Sequence, residues 1–254
     1  MIFGLLANKS AETYTRMFGL IKEKINKPPE TFGIDFEQAT VQAFKKNFKD
    51  AKLDGCFFHF AQALFKNFKL KVPEWKDKWK ESACRKTFRS IEALAFLPPK
   101  EVINAFKYIQ STAPPFMSDY INNYFENKFI GSIDQKTGKR KLPIFPIKLW
   151  SVYQRVLDGL PRTNNSIEAW HKAFSAAIKS HTLVAKLIEK FKKEQNRTET
   201  KSIQLTVDGE EEVRRKSQVR KDKRLFEIVR ACDESNIIKT LDDLVLVLSA
   251  VDEN

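Results

Sequence analysis

The amino-acid sequence predicts an α/β fold, with a mostly parallel sheet near the N-terminus followed by a long helical region. Three short apolar runs start at residues 1, 31 and 52, and each leads into a stretch with helical periodicity. Strands that alternate with helices are typical of a parallel sheet, because each helix carries the chain back to the same edge. Beyond residue 72, helical periodicity with Trp, Phe and Leu anchors continues and strand patterns become rare.

Turn and capping residues set the limits of the N-terminal elements. Ser10 precedes an apolar helical stripe and is predicted as its N-cap, and the Pro28-Pro29 pair ends that helix. The predicted elements of this region are a strand over 1–7, a helix over 11–26, a strand over 31–35, a helix over 36–48, a strand over 52–58 and a helix over 61–68.

The remaining chain divides by composition. An apolar stripe predicts one long helix over 166–196, and two helical patches are predicted after residue 225. Between them, an acidic patch is followed by a basic run over 214–224. The predicted divisions are a sheet region over 1–72, an all-helical insertion over 73–160, a helix-bearing segment over 161–196 and a basic linker with C-terminal helices over 197–254.

Charge and cysteine content limit the partners and the compartment. The 254 residues carry a formal net charge of +13, which favours a polyanion, either nucleic acid or an anionic membrane surface. No apolar run approaches the roughly 20 residues that cross a bilayer, so no membrane-spanning segment is predicted. Cys56, Cys84 and Cys232 are an odd, widely spaced set, which favours a reducing compartment such as the nucleus or cytosol.

Two carboxylates stand where a strand or turn gives way to a helix. Asp35 is predicted at the carboxyl end of a strand, where ligands gather in parallel sheets, and it suits Mg²⁺ or Mn²⁺. The alternative is an N-cap with Gln38 as its partner. Glu168 is either a metal ligand or the partner of Asn165 in a capping box. His171 lies about one helical turn after Glu168, so it would share the same face.

Cys56 and His59 form a C-x₂-H pair. One interpretation is half of a zinc site, although no second pair of ligands with suitable spacing follows. The other is a buried cysteine beside a hydrogen-bonded histidine. The basic run has two interpretations as well: it contacts a phosphate backbone or addresses the protein to the nucleus, or it is simply a solvated helix face.

Four phrases in order resemble the Mutator-like element (MULE) transposases, a branch of the DDE transposases with a ribonuclease-H-like core. In chain order, the phrases are Phe3-Gly4-Leu5-Leu6-Ala7-Asn8-Lys9, Asp35-Phe36-Glu37-Gln38-Ala39, Gly55-Cys56-Phe57-Phe58-His59-Phe60-Ala61-Gln62, and Arg162-Thr163-Asn164-Asn165 with Glu168, Trp170 and His171.

The resemblance implies a metal-dependent activity on DNA. Asp35 would be the second catalytic carboxylate and Glu168 the third, and together they would hold Mg²⁺ or Mn²⁺. His171 and His59 would contact phosphate or the metal ligands. The family's first catalytic aspartate lies in a strand that precedes the start of this sequence. We therefore expect an incomplete ribonuclease-H-like core, with a large helical insertion and a helical C-terminal extension, that lacks activity as given.

The resemblance and the charge together predict a nuclear, transposase-derived protein that binds DNA. The predicted DNA-binding residues are Arg162, Asn164, Asn165, Arg214, Arg215 and Lys216. The alternatives are a non-catalytic DNA-binding protein of the same origin and a structural zinc module built on Cys56 and His59. We also expect that the protein can assemble as a homo-oligomer.

Overall fold

The structure is a computed structural model that describes residues 4–163, 165–176, 178, 183–208 and 216–250. Within these ranges the chain is mainly helical and has a small parallel sheet. The helices and strands are α1 (Ala11–Lys24), β1 (Thr31–Ile34), α2 (Gln38–Asn47), β2 (Lys52–Gly55), α3 (Phe57–Lys71), α4 (Trp75–Lys78), α5 (Ser82–Ala93), α6 (Val102–Thr112), a π-helix (Asp119–Ile130), α7 (Ile147–Trp150), α8 (Tyr153–Leu157), α9 (Asn165–Ala176), α10 (Val184–Asp208), α11 (Lys216–Arg230) and α12 (Ile237–Ser249).

The sheet of the described chain consists of β1 and β2, which pair in parallel from Thr31 opposite Lys52 to Ile34 opposite Gly55. Helix α2 connects them, so the predicted strand–helix–strand unit is confirmed. The strand predicted over 1–7 is wrong for residues 4–7, which pair with no strand in the described ranges. Leu5 is 68% exposed there, so the apolar run gains neither ladder hydrogen bonds nor burial.

Helix α1 begins as its capping residue predicts. The hydroxyl of Ser10 accepts a hydrogen bond from the backbone N–H of Thr13 at 3.2 Å. The helix lies against α2, and its Phe18 ring packs edge-on against Phe44 and Phe32. These rings cover one side of the small sheet.

Strand β2 ends at Gly55, three residues before its predicted limit, and α3 begins at Phe57. Residues 57 and 58, which were predicted to end the strand, belong instead to this helix, in which Phe60, Leu64 and Phe68 are four apart and all buried. Because α3 is helical from Phe57 onward, residues four apart lie on one continuous face, and that face is buried. His59, which lies between the predicted strand and the predicted helix, is therefore in the first turn of α3.

Helix α3 inserts its buried face into the helical region that follows. Phe60 stacks on Trp150 with ring centroids 5.1 Å apart, and the indole N–H donates to the carbonyl of Phe129 at 3.2 Å. Phe129 belongs to the π-helix, whose end is marked by the bond from Gly131 N–H to Glu126 O. One hydrophobic core therefore joins the sheet region to the insertion.

The helix predicted over 166–196 is wrong as a single element. The chain forms α9 and α10 instead, with Ile178 between them in a bend. The ring of Phe174 stacks on Phe191 at 5.1 Å, so the two apolar stripes face each other. A helical hairpin lets the stripes bury one another, which a straight helix does not allow.

The chain after residue 225 contributes to two helices as predicted, but α11 begins at Lys216, within the segment predicted as a basic linker; α11 and α12 both pack into the core. Leu225 and Val229 of α11 are fully buried, as is Leu244 of α12. Helix α12 lies along α5, where Lys86 and Asp242 form an ion pair of 2.8 Å. In the described part of the chain, no helix combines the length and apolar character that crossing a bilayer requires.

Gly55 is predicted to be essential for the junction between β2 and its neighbours. A Cβ at this position would lie 2.7 Å from the carbonyl oxygen of Leu149 and 2.7 Å from the Phe36 ring. We expect Gly55→Ala to lower the free energy of unfolding by about 1–3 kcal/mol, because backbone must move to relieve the overlap. Urea denaturation followed by circular dichroism measures the change.

Gly33 supplies the matched control, because it lies in β1 opposite Asp54 and a Cβ there meets nothing within 4 Å. Gly33→Ala should leave stability unchanged or slightly higher, since alanine restricts the unfolded chain. Equal midpoints for the two variants would show that the Gly55 contact is not limiting.

Candidate functional site

Three separated segments meet where β2 turns into α3, at residues Gly55–Phe57, which we call the 55–57 junction. The N–H of Cys56 donates to the carbonyl of Ile34 at 3.0 Å, and the N–H of Phe57 donates to the carbonyl of Arg162 at 2.9 Å. The carbonyl of Gly55 accepts a bond from Arg155 Nη2 at 2.6 Å. Three of the four sequence phrases are thereby placed side by side.

Asp35 follows the last residue of β1, at the carboxyl end of the parallel sheet. Its Oδ1 lies 2.7 Å from Nδ1 of His59 in the first turn of α3. The carboxylate side chain is 55% exposed and the imidazole 21%. In the sequence, Asp35 and His59 belong to separate motifs. The structure brings their side chains into direct contact.

The capping interpretation of Asp35 is wrong. The N-cap of α2 is Glu37, whose side chain makes no capping hydrogen bond. Glu37 is itself held by the hydroxyls of Tyr14 at 3.1 Å and Thr40 at 3.2 Å. Burial of Tyr14 is the main reason that its pKa is raised. Asp35 therefore does not serve α2 and points to the neighbouring helix instead.

Arg155 stabilises the 55–57 junction through its hydrogen bond to the Gly55 carbonyl. The sequence analysis did not identify this residue. Its side chain is buried in α8, and its loss of hydration lowers its pKa, while the nearby Asp54 carboxylate opposes this effect. Its bond to Gly55 spans 100 positions of sequence. An isolated arginine in a helical segment carries no local pattern that would have predicted this role.

Arg162, a predicted DNA-binding residue, forms an ion pair with Asp222 of α11. Its guanidinium also lies 5.7 Å from the centre of the Phe96 ring. Helix α5 contributes a second ion pair, between Arg89 and Glu92. Lys221 completes this set, which we call the Lys221 charge cluster.

Within this cluster, the surroundings of Lys221 disfavour its charged form. Loss of hydration lowers the pKa of Lys221, and the positive charges of Arg162 and Arg89 lower it further. Asp222 and the 3%-exposed Glu92 oppose the shift. The Arg162–Asp222 ion pair therefore ties α11 to the chain that enters α9.

Glu168 and His171 both lie in α9, which begins at Asn165, one residue before the predicted start. The side chains of Asn165, Glu168 and His171 are not among those that the structure describes. The predicted DNA-binding residues Asn164, Arg214 and Arg215 lie outside the described residues. Lys216 is exposed at the start of α11.

The backbone nevertheless limits how far α9 can lie from Asp35. Arg162 is bonded to Phe57, two residues before His59. The three peptide steps from Arg162 to Asn165 span about 11 Å at full extension. The start of α9 is thus anchored beside the junction that carries Asp35 and His59.

Cys56 is 4% exposed and is the N-cap residue of α3, without a side-chain capping bond. Among the side chains described, no group of three or more His, Cys, Asp and Glu residues is arranged to hold a metal ion. The zinc hypothesis for Cys56 and His59 stays a prediction, which metal analysis of the purified protein would test.

The first 63 residues match the family model of the MULE transposase domain. The matched segment contains Asp35, Cys56 and His59, so the resemblance inferred from the sequence phrases is confirmed there. The chain is transposase-like over this part of its length. Neither a curated protein nor a solved structure matches the chain.

We expect Asp222→Asn to destabilise the protein, because it leaves Arg162 half-buried beside a neutral group. Both side chains are less than one quarter exposed. Loss of such a partner should cost about 1–2 kcal/mol, less than for a fully buried pair. Urea denaturation measures the loss.

Asp77→Asn is the matched control, because Asp77 forms an ion pair of 2.7 Å with Lys80 at a highly exposed site. Solvent screens that pair, so the unfolding midpoint should hardly move. A similar midpoint for the two variants would contradict a structural role for Arg162–Asp222.

Proposed function

We propose that this protein is a DNA-binding protein derived from a MULE-type transposase. The observation that carries the proposal is the family match over residues 1–63. Its support in the geometry is the 55–57 junction, which joins the Asp35 segment, the His59 segment and the segment that leads into α9. The net charge of +13 suits a polyanionic partner such as DNA.

The family activity, metal-dependent cleavage and transfer of DNA strands, is proposed for Asp35 and Glu168. Asp35 suits one metal ligand: it is an exposed carboxylate at the carboxyl end of a parallel strand, and Mg²⁺ prefers oxygen ligands. His59 would hold the Asp35 carboxylate in position through its Nδ1 contact. A bound metal pair would activate the attacking oxygen and stabilise the leaving oxygen.

In the family, that chemistry requires three carboxylates. Among the described side chains, Asp35 is the candidate of this kind that lies at the 55–57 junction. The second candidate, a non-catalytic DNA-binding protein, is favoured by the charge, since a +13 chain attracts DNA without any metal. Nuclear localisation and homo-oligomer assembly remain predictions.

Binding to duplex DNA is the first expected result. Fluorescence anisotropy with a labelled duplex should show an affinity that falls by about 10- to 1,000-fold between about 50 and 200 mM salt, because phosphate contacts release counterions. Absence of binding at the lower salt concentration would overturn the proposed function.

Charge reversal identifies the surface involved. Changing Arg214, Arg215 and Lys216 to Glu should weaken duplex binding and reduce its salt dependence. The same reversal at the exposed Lys9, Lys22 and Lys24 gives an equal change in net charge on the N-terminal side of the chain. If the two triple variants lose equal affinity, the basic run is not a specific contact surface.

The carboxylate role of Asp35 has a separate test. Asp35→Asn should abolish Mn²⁺-dependent nicking of supercoiled DNA and weaken Mn²⁺ binding measured by electron paramagnetic resonance, but leave duplex affinity unchanged. Asp50→Asn removes an exposed carboxylate from the turn before β2 and is the control. DNA binding without nicking or Mn²⁺ binding in the unmodified protein would reject the catalytic role and support the non-catalytic candidate.

A further inference from the structure

The α9–α10 hairpin contains a column of three aromatic rings. Trp170 stacks on Phe174 with centroids 5.0 Å apart and planes 16° apart, and Phe174 stacks on Phe191 at 5.1 Å and 14°. The indole N–H of Trp170 donates to Oε1 of Glu194 at 2.6 Å. Rings from both helices are therefore aligned in one direction, and the indole is held at one end.

A cleft of about 250 Å³ opens beside this column. Trp170 and Phe174 form its apolar wall, and Lys190, Lys193 and Arg197 of α10 supply three cations. Cavities that hold drug-sized ligands measure about 300–1,000 Å³, so this cleft is suited to a smaller ring system. Glu194, the carboxylate among the described residues that line the cleft, already accepts the indole N–H.

We propose that this cleft binds single-stranded DNA, with one base stacked on the aromatic wall at Trp170 and the flanking phosphates near Lys190, Lys193 and Arg197. Single-strand binding sites combine cations that follow the phosphates with aromatic faces that stack the bases. In a duplex the faces of each base are covered by its neighbours, so only an unpaired base can enter. The inference rests on the proposed DNA-binding function and specifies the form of DNA that this site accepts.

The position of the cleft suits this role. Helix α9 starts beside the 55–57 junction, and Trp170 lies two residues after Glu168 in the same helix. Strand cleavage exposes unpaired nucleotides, which the cleft would hold.

Two ligands of equal length and charge isolate the stacking contribution. We compare a labelled (dT)₁₂ strand with a 12-mer in which every base is replaced by an abasic site, using fluorescence anisotropy at fixed salt. The protein should prefer (dT)₁₂ by about fivefold or more, because each stacked base adds measurably to affinity. Trp170→Leu keeps an apolar side chain in the hairpin and should remove the preference.

The cations have matched controls on the same helix. Lys193→Ala with Arg197→Ala should weaken (dT)₁₂ binding by about tenfold more than Lys192→Ala with Lys201→Ala, which removes two exposed charges that do not line the cleft. This comparison decides the proposal even if Trp170→Leu disturbs the hairpin, which circular dichroism would show.

The outcomes separate this inference from the proposed function. Equal binding of the (dT)₁₂ and abasic strands, or equal losses in the Lys193/Arg197 and Lys192/Lys201 double variants, overturns the cleft while duplex binding stands. Failure to bind duplex and single strands alike overturns both proposals. A preference for (dT)₁₂ that disappears in Trp170→Leu supports the cleft.

Discussion

The arrangement of this protein depends on the backbone hydrogen bonds of the 55–57 junction. Two successive N–H groups reach two different segments, Ile34 at the end of β1 and Arg162 before α9. The preceding carbonyl, that of Gly55, accepts a bond from the buried Arg155. Backbone groups buried at such a crossing must be paired, so each bond fixes the position of the segment that supplies it. The contact between Asp35 and His59 follows from this arrangement.

The junction also explains why side chains far from it matter. Gly55 leaves room for the Leu149 carbonyl and the Phe36 ring to approach closely. Phe36 packs in turn against Phe60, Phe129 and Phe145 of the aromatic core. The helical region after α3 therefore does not fold independently of the sheet. Its rings and carbonyls form one wall of the junction that carries the candidate site.

The sequence predicts the elements whose determinants are local. Ser10 caps α1 through a bond three residues away, and the β1–α2–β2 unit follows from alternation of strand and helix patterns. Asp35 and His59 were each identified as functional candidates from phrases of a few residues. Their positions beside one another depend on the parallel pairing of β1 with β2, which the alternation implies.

The features that the sequence did not predict depend on long-range contacts. The end of β2 was misplaced because the aromatic run after Gly55 suits a strand until helical burial of Phe60, Leu64 and Phe68 decides it. The helix over 166–196 was wrongly predicted as continuous because two stripes that face each other in a hairpin have the same periodicity as one stripe.

The roles of Arg155 and Asp222 were missed because their partners lie 100 and 60 positions away. A buried arginine or a helical aspartate has many possible partners in a chain of this charge, and spacing alone cannot select one. The same limit applies to the contact between Trp170 and Glu194, which only the fold-back of the hairpin creates.

The ion pair between Arg162 and Asp222 has a topological consequence. It joins two points that are 60 positions apart in sequence, one just before α9 and one within α11. The chain between them, which includes the α9–α10 hairpin, therefore forms a loop whose two ends are fixed at the core. The entropic cost of closing such a loop grows by only about 0.6 kcal/mol for each doubling of its length. The hairpin can therefore lengthen, shorten or be exchanged while the core remains unchanged. The part of the protein that meets DNA in our proposal is thus the part whose length is least constrained by the rest of the fold.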